Sequence, residues 1–219
     1  MKRYLAVLLA IPLNLGSFGY ASTECVEVKN SLCIERFQYS DPIGKRYRTL
    51  TILNDGKTVR VLRGEIEKGG VFDKINPPEL SPDGNFALLH QVESGKAETS
   101  NGLVTNHEIA YCELVNLRSG CIIARETGEF CGGTFTQDGR WNNQLYPEFN
   151  LTAEAPRAKK YVEGSLRPTD SPASSLDNLL ICDPPDANNK KDYRTIIERN
   201  TFKLNNIQRE VLRRNMNDK

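Results

Sequence analysis

The segment between residues 47 and 63 constrains the fold of this chain more than any other feature. Its first part, Tyr47-Arg48-Thr49-Leu50-Thr51-Ile52-Leu53, is rich in residues that favour β-strands. Asn54-Asp55-Gly56 comes next, and Asp-Gly is a strong signal for a tight hairpin turn. Polar and apolar side chains then alternate from 57 to 63, which is typical of a strand with one dry face. The segment therefore predicts an antiparallel hairpin.

Further short strands are predicted over 86–92, 108–115 and 121–125, each close to a turn signal. Gly120 ends the turn before the last of them and can take the left-handed conformation of a bulged hairpin loop. No segment before residue 190 shows helical periodicity. Strands and turns at intervals of about ten residues predict an all-β, antiparallel domain over 22–150.

The composition changes after residue 150, where prolines punctuate a stretch rich in Ser, Asn and Asp. We interpret 151–219 as a loop-rich extension, with a buried strand over 179–182 and a short terminal helix over 204–215. Leu204, Ile207, Val211 and Leu212 recur at helical spacing in the latter. Asn205 or Asn206 is a suitable N-cap for that helix.

Residues 1–21 have the pattern of an export signal. Lys2 and Arg3 precede an apolar run over 5–15, and Gly19-Tyr20-Ala21 places small residues before a cut at Ser22. The run is far shorter than the about 20 apolar residues of a membrane helix. We therefore expect a periplasmic or secreted protein with no membrane span after removal of the signal.

The charge balance argues against a polyanionic partner. Lys2 and Arg3 are the charged residues of the signal, so removing it changes the formal net charge from +1 to −1. A nearly neutral protein has no bulk attraction to nucleic acid, and we expect none as a partner.

The cysteine count is even, and outside the cytoplasm this indicates disulfide bonds with fifteen conceivable connectivities. Cys25 and Cys33 are close enough in sequence for a hairpin to bring them together. Zinc would favour a Cys-x-x-Cys knuckle, and the chain has none. The six candidates are Cys25, Cys33, Cys112, Cys121, Cys131 and Cys182.

Two segments share a turn pattern. Leu80-Ser81-Pro82-Asp83-Gly84-Asn85-Phe86 and Phe135-Thr136-Gln137-Asp138-Gly139-Arg140-Trp141 each present a hydrophobe, a hydroxyl residue, one variable position, Asp-Gly and a bulky strand start. This pattern resembles the Ser-Pro-Asp-Gly turn of β-propeller blades, as in WD-repeat and Tol-type periplasmic propellers. A ring needs at least four blades of about 40 residues, whereas 22–150 has room for about three. The resemblance therefore implies a propeller-like partial sheet, with a β-sandwich as the alternative, and it implies a binding scaffold without catalytic residues.

Catalytic and cofactor motifs are missing from the sequence. It has no Gly-x-Ser-x-Gly elbow, no phosphate loop and no His-Glu-x-x-His. We predict no catalytic residues, no cofactor and no metal site. His90 fits a strand pattern, and His107 would need an acid or a nucleophile close in space to serve as a base.

One patch has the composition of an interface. Arg140, Trp141, Asn142 and Tyr146 are the predicted partner-binding residues, because Trp, Tyr and Arg dominate interface hot spots. The alternative interpretation is that Trp141 anchors the core at a strand start.

These observations favour an exported, non-catalytic protein that binds a protein partner. Inhibitors of cell-envelope hydrolases and immunity proteins that neutralise delivered toxins are of this kind, since they need shape rather than reactive groups. Two alternatives stay open. One is a secreted hydrolase whose acidic residues converge only in the fold, and the other is a structural envelope component with an apolar strand edge.

Overall fold

The computed structural model describes residues 24–29, 32–38, 46–63, 70–73, 78–98 and 100–217. The predicted signal peptide, residues 1–21, lies outside the described residues. Within them, strands come first and α-helices come after, with short 3-10 helices over Gly128–Gly132 and Pro172–Ser174. The strands are β1 (Glu24–Lys29), β2 (Leu32–Gln38), β3 (Arg46–Asn54), β4 (Lys57–Arg63), β5 (Val71–Asp73), β6 (Glu79–Leu80), β7 (Phe86–Glu98), β8 (Val104–Asn116), β9 (Ile122–Thr127), β10 (Thr134–Phe135) and β11 (Trp141–Asn142). The helices are α1 (Leu151–Glu154), α2 (Ala158–Glu163), α3 (Leu176–Cys182), α4 (Lys190–Glu198) and α5 (Asn206–Asn217).

One antiparallel sheet contains nine of these strands in the order β1-β2-β3-β5-β7-β8-β9, with β4 paired to β3 and β6 paired to β7. Strand β3 pairs with β2 along one edge, so β4 and β5 share its other edge. Strands β10 and β11 form a separate pair. The predicted antiparallel sheet is confirmed. Its described strands form an open sheet, in which the first and last strands do not pair with each other.

The two predicted turns have the expected backbone geometry. Asp55 and Gly56 both have positive φ, 50° and 70°, which is the signature of the type I′ turn, and Asn54 pairs with Lys57 across it. Gly120 has φ 77°, and its N–H donates to the carbonyl of Asn116 at 2.7 Å. These turns connect β3 to β4 and β8 to β9.

The sheet buries side chains on both of its faces. On one face, side chains of β2, β3 and β4 pack against side chains of β7, β8 and β9. Strands from both halves of the sheet therefore contribute to one core. This first core contains Ile34, Ile52, Leu62, Leu89, Val115 and Ile122. The opposite face of β7–β9 packs against the segment 130–151, and this second core contains Leu88, Leu114, Ile123, Phe130, Trp141 and Leu151.

The all-β prediction is wrong for the last third of the chain, which is helical rather than loop-rich. The strand predicted over 179–182 is the second half of α3. A run of four apolar residues suits a buried strand and a helix equally well, and here Leu176, Leu179 and Leu180 lie at helical spacing. The helix predicted over 204–215 is confirmed as α5. A third core, built from α2–α5, contains Tyr161, Leu179, Tyr193, Ile196, Leu204 and Leu212.

Side-chain caps mark the start of α1, α3 and α5. The Asn150 carboxamide oxygen accepts from Thr152 N and Ala153 N at the start of α1. Ser175 caps α3. Asn205 Oδ1 accepts from Gln208 N at 2.9 Å, and Gln208 Oε1 accepts in return from Asn205 N at 3.0 Å. Asn205 is thus the cap of α5. In the part of the chain that the structure describes, no helix has the length and apolar character needed to cross a membrane.

Candidate functional site

The two turns that resemble each other in sequence share the hydrogen bond across the Asp-Gly corner, and the second closes one residue earlier, at Arg140, than the first, at Phe86. In the first, Gly84 N–H donates to Ser81 O at 2.8 Å and Phe86 N–H donates to Ser81 Oγ at 2.9 Å. In the second, Gly139 N–H donates to Thr136 O at 2.9 Å and Arg140 N–H donates to Thr136 Oγ1 at 3.1 Å. Each hydroxyl also donates to the aspartate of its own turn. The local sequence therefore determines both turns.

The two turns lie side by side, which the sequence did not indicate. A Cβ atom built on Gly139 would lie 3.7 Å from the carboxyl carbon of Asp83. Together they border a cleft of about 480 Å³, whose wall includes Asp138 and Glu148 as well as Asp83. The cleft is thus rich in carboxylates.

Local hydrogen bonds lower the pKa of two of these carboxyl groups. Partial burial of Asp83 acts to raise its pKa, but hydrogen bonds from Ser81 and Asn85 outweigh this and the pKa is lowered. The pKa of Asp138 is lowered by the Thr136 hydroxyl and by Arg140, although slight desolvation opposes this. A general acid needs a raised pKa, so neither aspartate is suited to donate a proton at neutral pH.

Trp141 is a core residue. Its side chain is only 4% exposed, and its ring packs against Phe130 and Phe135 at centroid distances of 5.8 and 5.2 Å. A Cβ atom on Gly133 would lie 2.5 Å from the indole ring, so only glycine leaves room for it. Trp141 therefore anchors the second core at the start of β11, as the alternative interpretation expects, and it offers a partner little surface on the wall of the cleft.

The other three predicted interface residues reach the surface at two places. Arg140 and Asn142 are exposed on the wall of the cleft, and Arg140 Nε lies 2.7 Å from Asp138 Oδ2. Tyr146 is 43% exposed outside the residues that line the cleft, and its ring meets Phe130 edge-on at 5.1 Å. The structure thus brings Arg140 and Asn142 together and leaves Tyr146 apart from them.

A second surface feature is a long hairpin, of which the sequence patterns predicted only part. Strands β7 and β8 pair from Phe86↔Asn116 to Glu98↔Val104. Among the described residues, β5 pairs with β7 only as far as Val92, and β9 pairs with β8 only as far as Tyr111. Beyond those points, in the part of the chain that the structure describes, β7 and β8 pair only with each other. We call residues 93–110 the arm.

The full length of the arm was not predicted because its strands lack apolar alternation. The predicted strands cover 86–92 and 108–115, whereas 93–98 reads Glu-Ser-Gly-Lys-Ala-Glu. Its six residue pairs extend about 20 Å at about 3.3 Å per residue. Near its end, Leu103 and Val104 are 60% and 57% exposed. The arm is therefore a polar ribbon with an apolar tip.

A buried ionic cluster holds the base of the arm. Arg125 Nε lies 3.3 Å from Glu113 Oε1, and Arg125 Nη2 contacts the Glu93 carboxylate and donates to Gln91 Oε1 at 3.1 Å. The Arg125 guanidinium carbon lies 3.7 Å from the centroid of the Tyr111 ring. These groups belong to β7, β8 and β9, so one arginine connects the three strands where the arm leaves the sheet.

Two disulfide bonds connect the last strands of the sheet to later segments of the chain. Cys112 on β8 is bonded to Cys131, and Cys121 before β9 is bonded to Cys182 at the end of α3. The sequence predicts disulfide bonds, and the structure shows which of these cysteines are paired. For the remaining two cysteines the backbone register places Cys25 opposite Glu35 and Cys33 opposite Glu27, so the predicted hairpin exists. Their side chains lie outside the described set.

Asn178 joins the helical part to the sheet. It is fully buried on α3, and its Oδ1 accepts from Arg60 Nη1 at 2.6 Å and from Ile122 N at 3.0 Å. Its Nδ2 donates to Ile122 O at 2.8 Å and to Ala173 O at 2.7 Å. The carboxamide thus pairs with strand β9 as a neighbouring strand would, and it does so beside the Cys121–Cys182 bond.

Within the described residues no group of three His, Cys, Asp or Glu side chains is arranged to hold a metal ion. Comparisons of the chain with known protein families, with curated sequences and with solved structures find no match. The arm and the cleft are therefore interpreted from their own geometry.

Proposed function

We propose that this is an exported, non-catalytic binding protein that inhibits or neutralises a protein partner, such as a cell-envelope hydrolase or a delivered toxin. The observation that carries the proposal is the arm, a two-stranded ribbon that projects beyond its neighbouring strands. An inhibitor of this type inserts a preformed element into a cleft of its target. Preorganisation matters because ordering a flexible segment on binding would reduce the affinity.

Two features give the arm the required properties. The Arg125 cluster at its base restrains the direction in which it leaves the sheet. Leu103 and Val104 at its tip offer apolar surface that only a partner would bury. The charged side chains Lys96, Glu98 and Glu108 along the strands disfavour edge-to-edge aggregation, which argues against a structural envelope component.

The disulfide bonds and the paired turns support the same proposal. Two disulfides fit an oxidising compartment outside the cytoplasm. The turns at Ser81–Gly84 and Thr136–Gly139 each lead into a strand, β7 and β11, as in a propeller blade. We interpret these as blade-like turns of a partial sheet that serves as a rigid scaffold.

The hydrolase alternative rests on the carboxylates of Asp83, Asp138 and Glu148 in one cleft. It has less support, because the pKa values of both aspartates are lowered and neither is a suitable proton donor. If it is correct, Asp83→Asn with Asp138→Asn abolishes a hydrolytic activity of the purified protein. A cell-wall digestion assay would detect that activity.

The binding proposal is tested by immobilising the purified protein and capturing its partner from an extract of the cell envelope. The double variant Leu103→Ser/Val104→Ser should weaken binding of the captured partner at least about tenfold, because hot-spot truncations exceed about 1–2 kcal/mol. The double variant Ile207→Ser/Val211→Ser is the matched control, since these side chains are 75% and 50% exposed and lie on α5, outside the arm and the predicted interface patch.

Inhibition is measured on the captured partner. The unaltered protein and Ile207→Ser/Val211→Ser should block its activity, and the tip variant should not. Equal affinity of both variants, or a captured partner whose activity is unchanged, would contradict the proposal.

A further inference from the structure

A cavity of about 280 Å³ lies between strand β9 and the segment 166–174. It is distinct from the cleft, although Phe149 lines both and Arg125 at the base of the arm contributes to its wall. Ligand pockets begin at about this size, which suits one small molecule rather than a peptide. Ile123, Ala124, Leu166 and Ala173 contribute apolar surface to its wall. The cavity thus has the size and apolar lining of a small-molecule site.

The two walls of the cavity are held together before any ligand arrives. Asn178 bonds Ala173 on one wall and Ile122, next to Ile123, on the other. The Cys121–Cys182 disulfide bond connects the residue before β9 to the end of α3, the helix that carries Asn178. The cavity is therefore preformed, and binding would cost little conformational entropy.

Four charged residues line the cavity, and two of them already have partners. Arg125 is bound by Glu93 and Glu113, and Glu154 Oε2 lies 3.7 Å from Lys160 Nζ. The remaining two are Arg167 and Glu126. Among the described residues neither side chain has a hydrogen bond or an ion pair, and they do not pair with each other.

The unpartnered groups differ in sign. Arg167 is an exposed guanidinium and suits a carboxylate, which it can bind through two parallel hydrogen bonds. Glu126 suits an ammonium group, and partial burial without a cation raises the pKa of its carboxyl. A purely anionic ligand would be repelled by Glu126, and a purely cationic ligand would be repelled by Arg167.

Tyr161 on the wall of the cavity carries a buried, neutral hydroxyl group. The residue is 4% exposed, it lines the cavity, and its hydroxyl has no hydrogen-bond partner among the described residues. Burial raises the pKa of this hydroxyl to about 12, so it stays protonated at neutral pH. Buried polar groups of this kind are normally satisfied by protein, water or ligand.

We propose that this cavity binds a free α-amino acid with an apolar side chain. Arg167 binds its carboxylate, Glu126 binds its ammonium group, and the apolar wall around Ile123 and Leu166 receives its side chain. This inference does not depend on the proposed inhibitory function.

The test is isothermal titration calorimetry of the full protein with L-leucine, L-valine and L-phenylalanine at concentrations up to about 10 mM. At least one of them should bind. Its amide, which lacks the carboxylate, and its N-acetyl derivative, which lacks the ammonium group, should each bind at least about tenfold more weakly.

Two variants test which residue binds the carboxylate and which binds the ammonium group of the amino acid. Arg167→Gln should bind the amino acid at least about tenfold more weakly than the unaltered protein does, with an affinity close to that of the unaltered protein for the amide. Glu126→Gln should likewise bind the amino acid about as weakly as the unaltered protein binds the N-acetyl derivative. Arg118→Gln and Glu198→Gln are controls at exposed positions outside the cavity and should leave binding unchanged. All four positions are exposed, so folding is preserved.

Three results would overturn the proposal. The first is that none of the three amino acids binds. The second is that the amide or the N-acetyl derivative binds as tightly as the parent amino acid. The third is that Arg167→Gln or Glu126→Gln binds the amino acid as the unaltered protein does.

Discussion

The carboxamide oxygen of Asn178 accepts a hydrogen bond from Arg60 Nη1 at 2.6 Å, although the two residues are 118 positions apart in sequence. Arg60 lies on β4, which pairs with β3 in the sheet, and Asn178 lies on α3. The same guanidinium nitrogen contacts Gly120 O at 2.5 Å, in the turn between β8 and β9. One arginine thus connects three parts of the molecule that no local pattern brings together.

We expect Asn178→Ala to lower the free energy of unfolding by about 2–4 kcal/mol. The substitution leaves the N–H and the carbonyl of Ile122 buried without their partner, and each unsatisfied group costs about 1–3 kcal/mol. Urea unfolding of the oxidised protein measures the change. Asn188→Ala, at an exposed position, is the control, and an equal effect of the two substitutions would contradict the assignment.

The two disulfide bonds should contribute unequally to stability. Cys121 and Cys182 are 61 positions apart, whereas Cys112 and Cys131 are 19 apart. In the loop-entropy description, losing the long cross-link costs about 4 kcal/mol and losing the short one costs about 3 kcal/mol. Urea unfolding of Cys121→Ala/Cys182→Ala and of Cys112→Ala/Cys131→Ala tests the order, and a reversed order would show that loop length does not dominate.

Gly120→Ala should destabilise the protein more than Gly56→Ala. Both glycines have positive φ, which costs another residue about 1–2 kcal/mol. Only at Gly120 would the new Cβ meet another side chain, since Arg60 Cβ would lie 2.6 Å away, whereas Gly56 has open space. The clash should add about 1–3 kcal/mol. Thermal unfolding of the two variants measures the difference, and equal melting temperatures would show that Arg60 moves aside freely.

Asp83 should stabilise the folded protein at neutral pH, and this contribution should be lost in acid. Its pKa in the folded protein lies below the ordinary value, so its contribution is present above the ordinary pKa and is lost as the pH falls through the folded pKa. Asp83→Asn should lower the melting temperature at pH 7, and this difference should disappear near about pH 2. Melting curves across this pH range test the expectation. Asp170→Asn, at an exposed position, is the control, and a deficit of Asp83→Asn that persists unchanged at low pH would contradict it.

Short-range patterns in the sequence account for the turns, for all or part of strands β3, β4, β7, β8 and β9, and for the last helix. The type I′ turn at Asp55-Gly56, the left-handed Gly120 and the Asn205 cap of α5 each depend on residues within a few positions of one another. Their conformations are set by local sterics and local hydrogen bonds, which a linear pattern contains. The even cysteine count likewise predicted disulfide bonds without their pairing.

Only the tertiary structure decided that the last third of the chain is helical, that Trp141 is buried, and what shape the arm and the cavity beside β9 have. The run over 179–182 suits a strand or a helix, and it is helical because α3 packs in the third core and places Asn178 against β9. The extent of the arm depends on where β5 and β9 stop pairing. The cavity beside β9 exists because the segments 123–126 and 166–174, distant in sequence, line the same space. These properties arise from contacts between segments that are distant in sequence. Such contacts produce no local periodic pattern, so they cannot be read from the sequence alone.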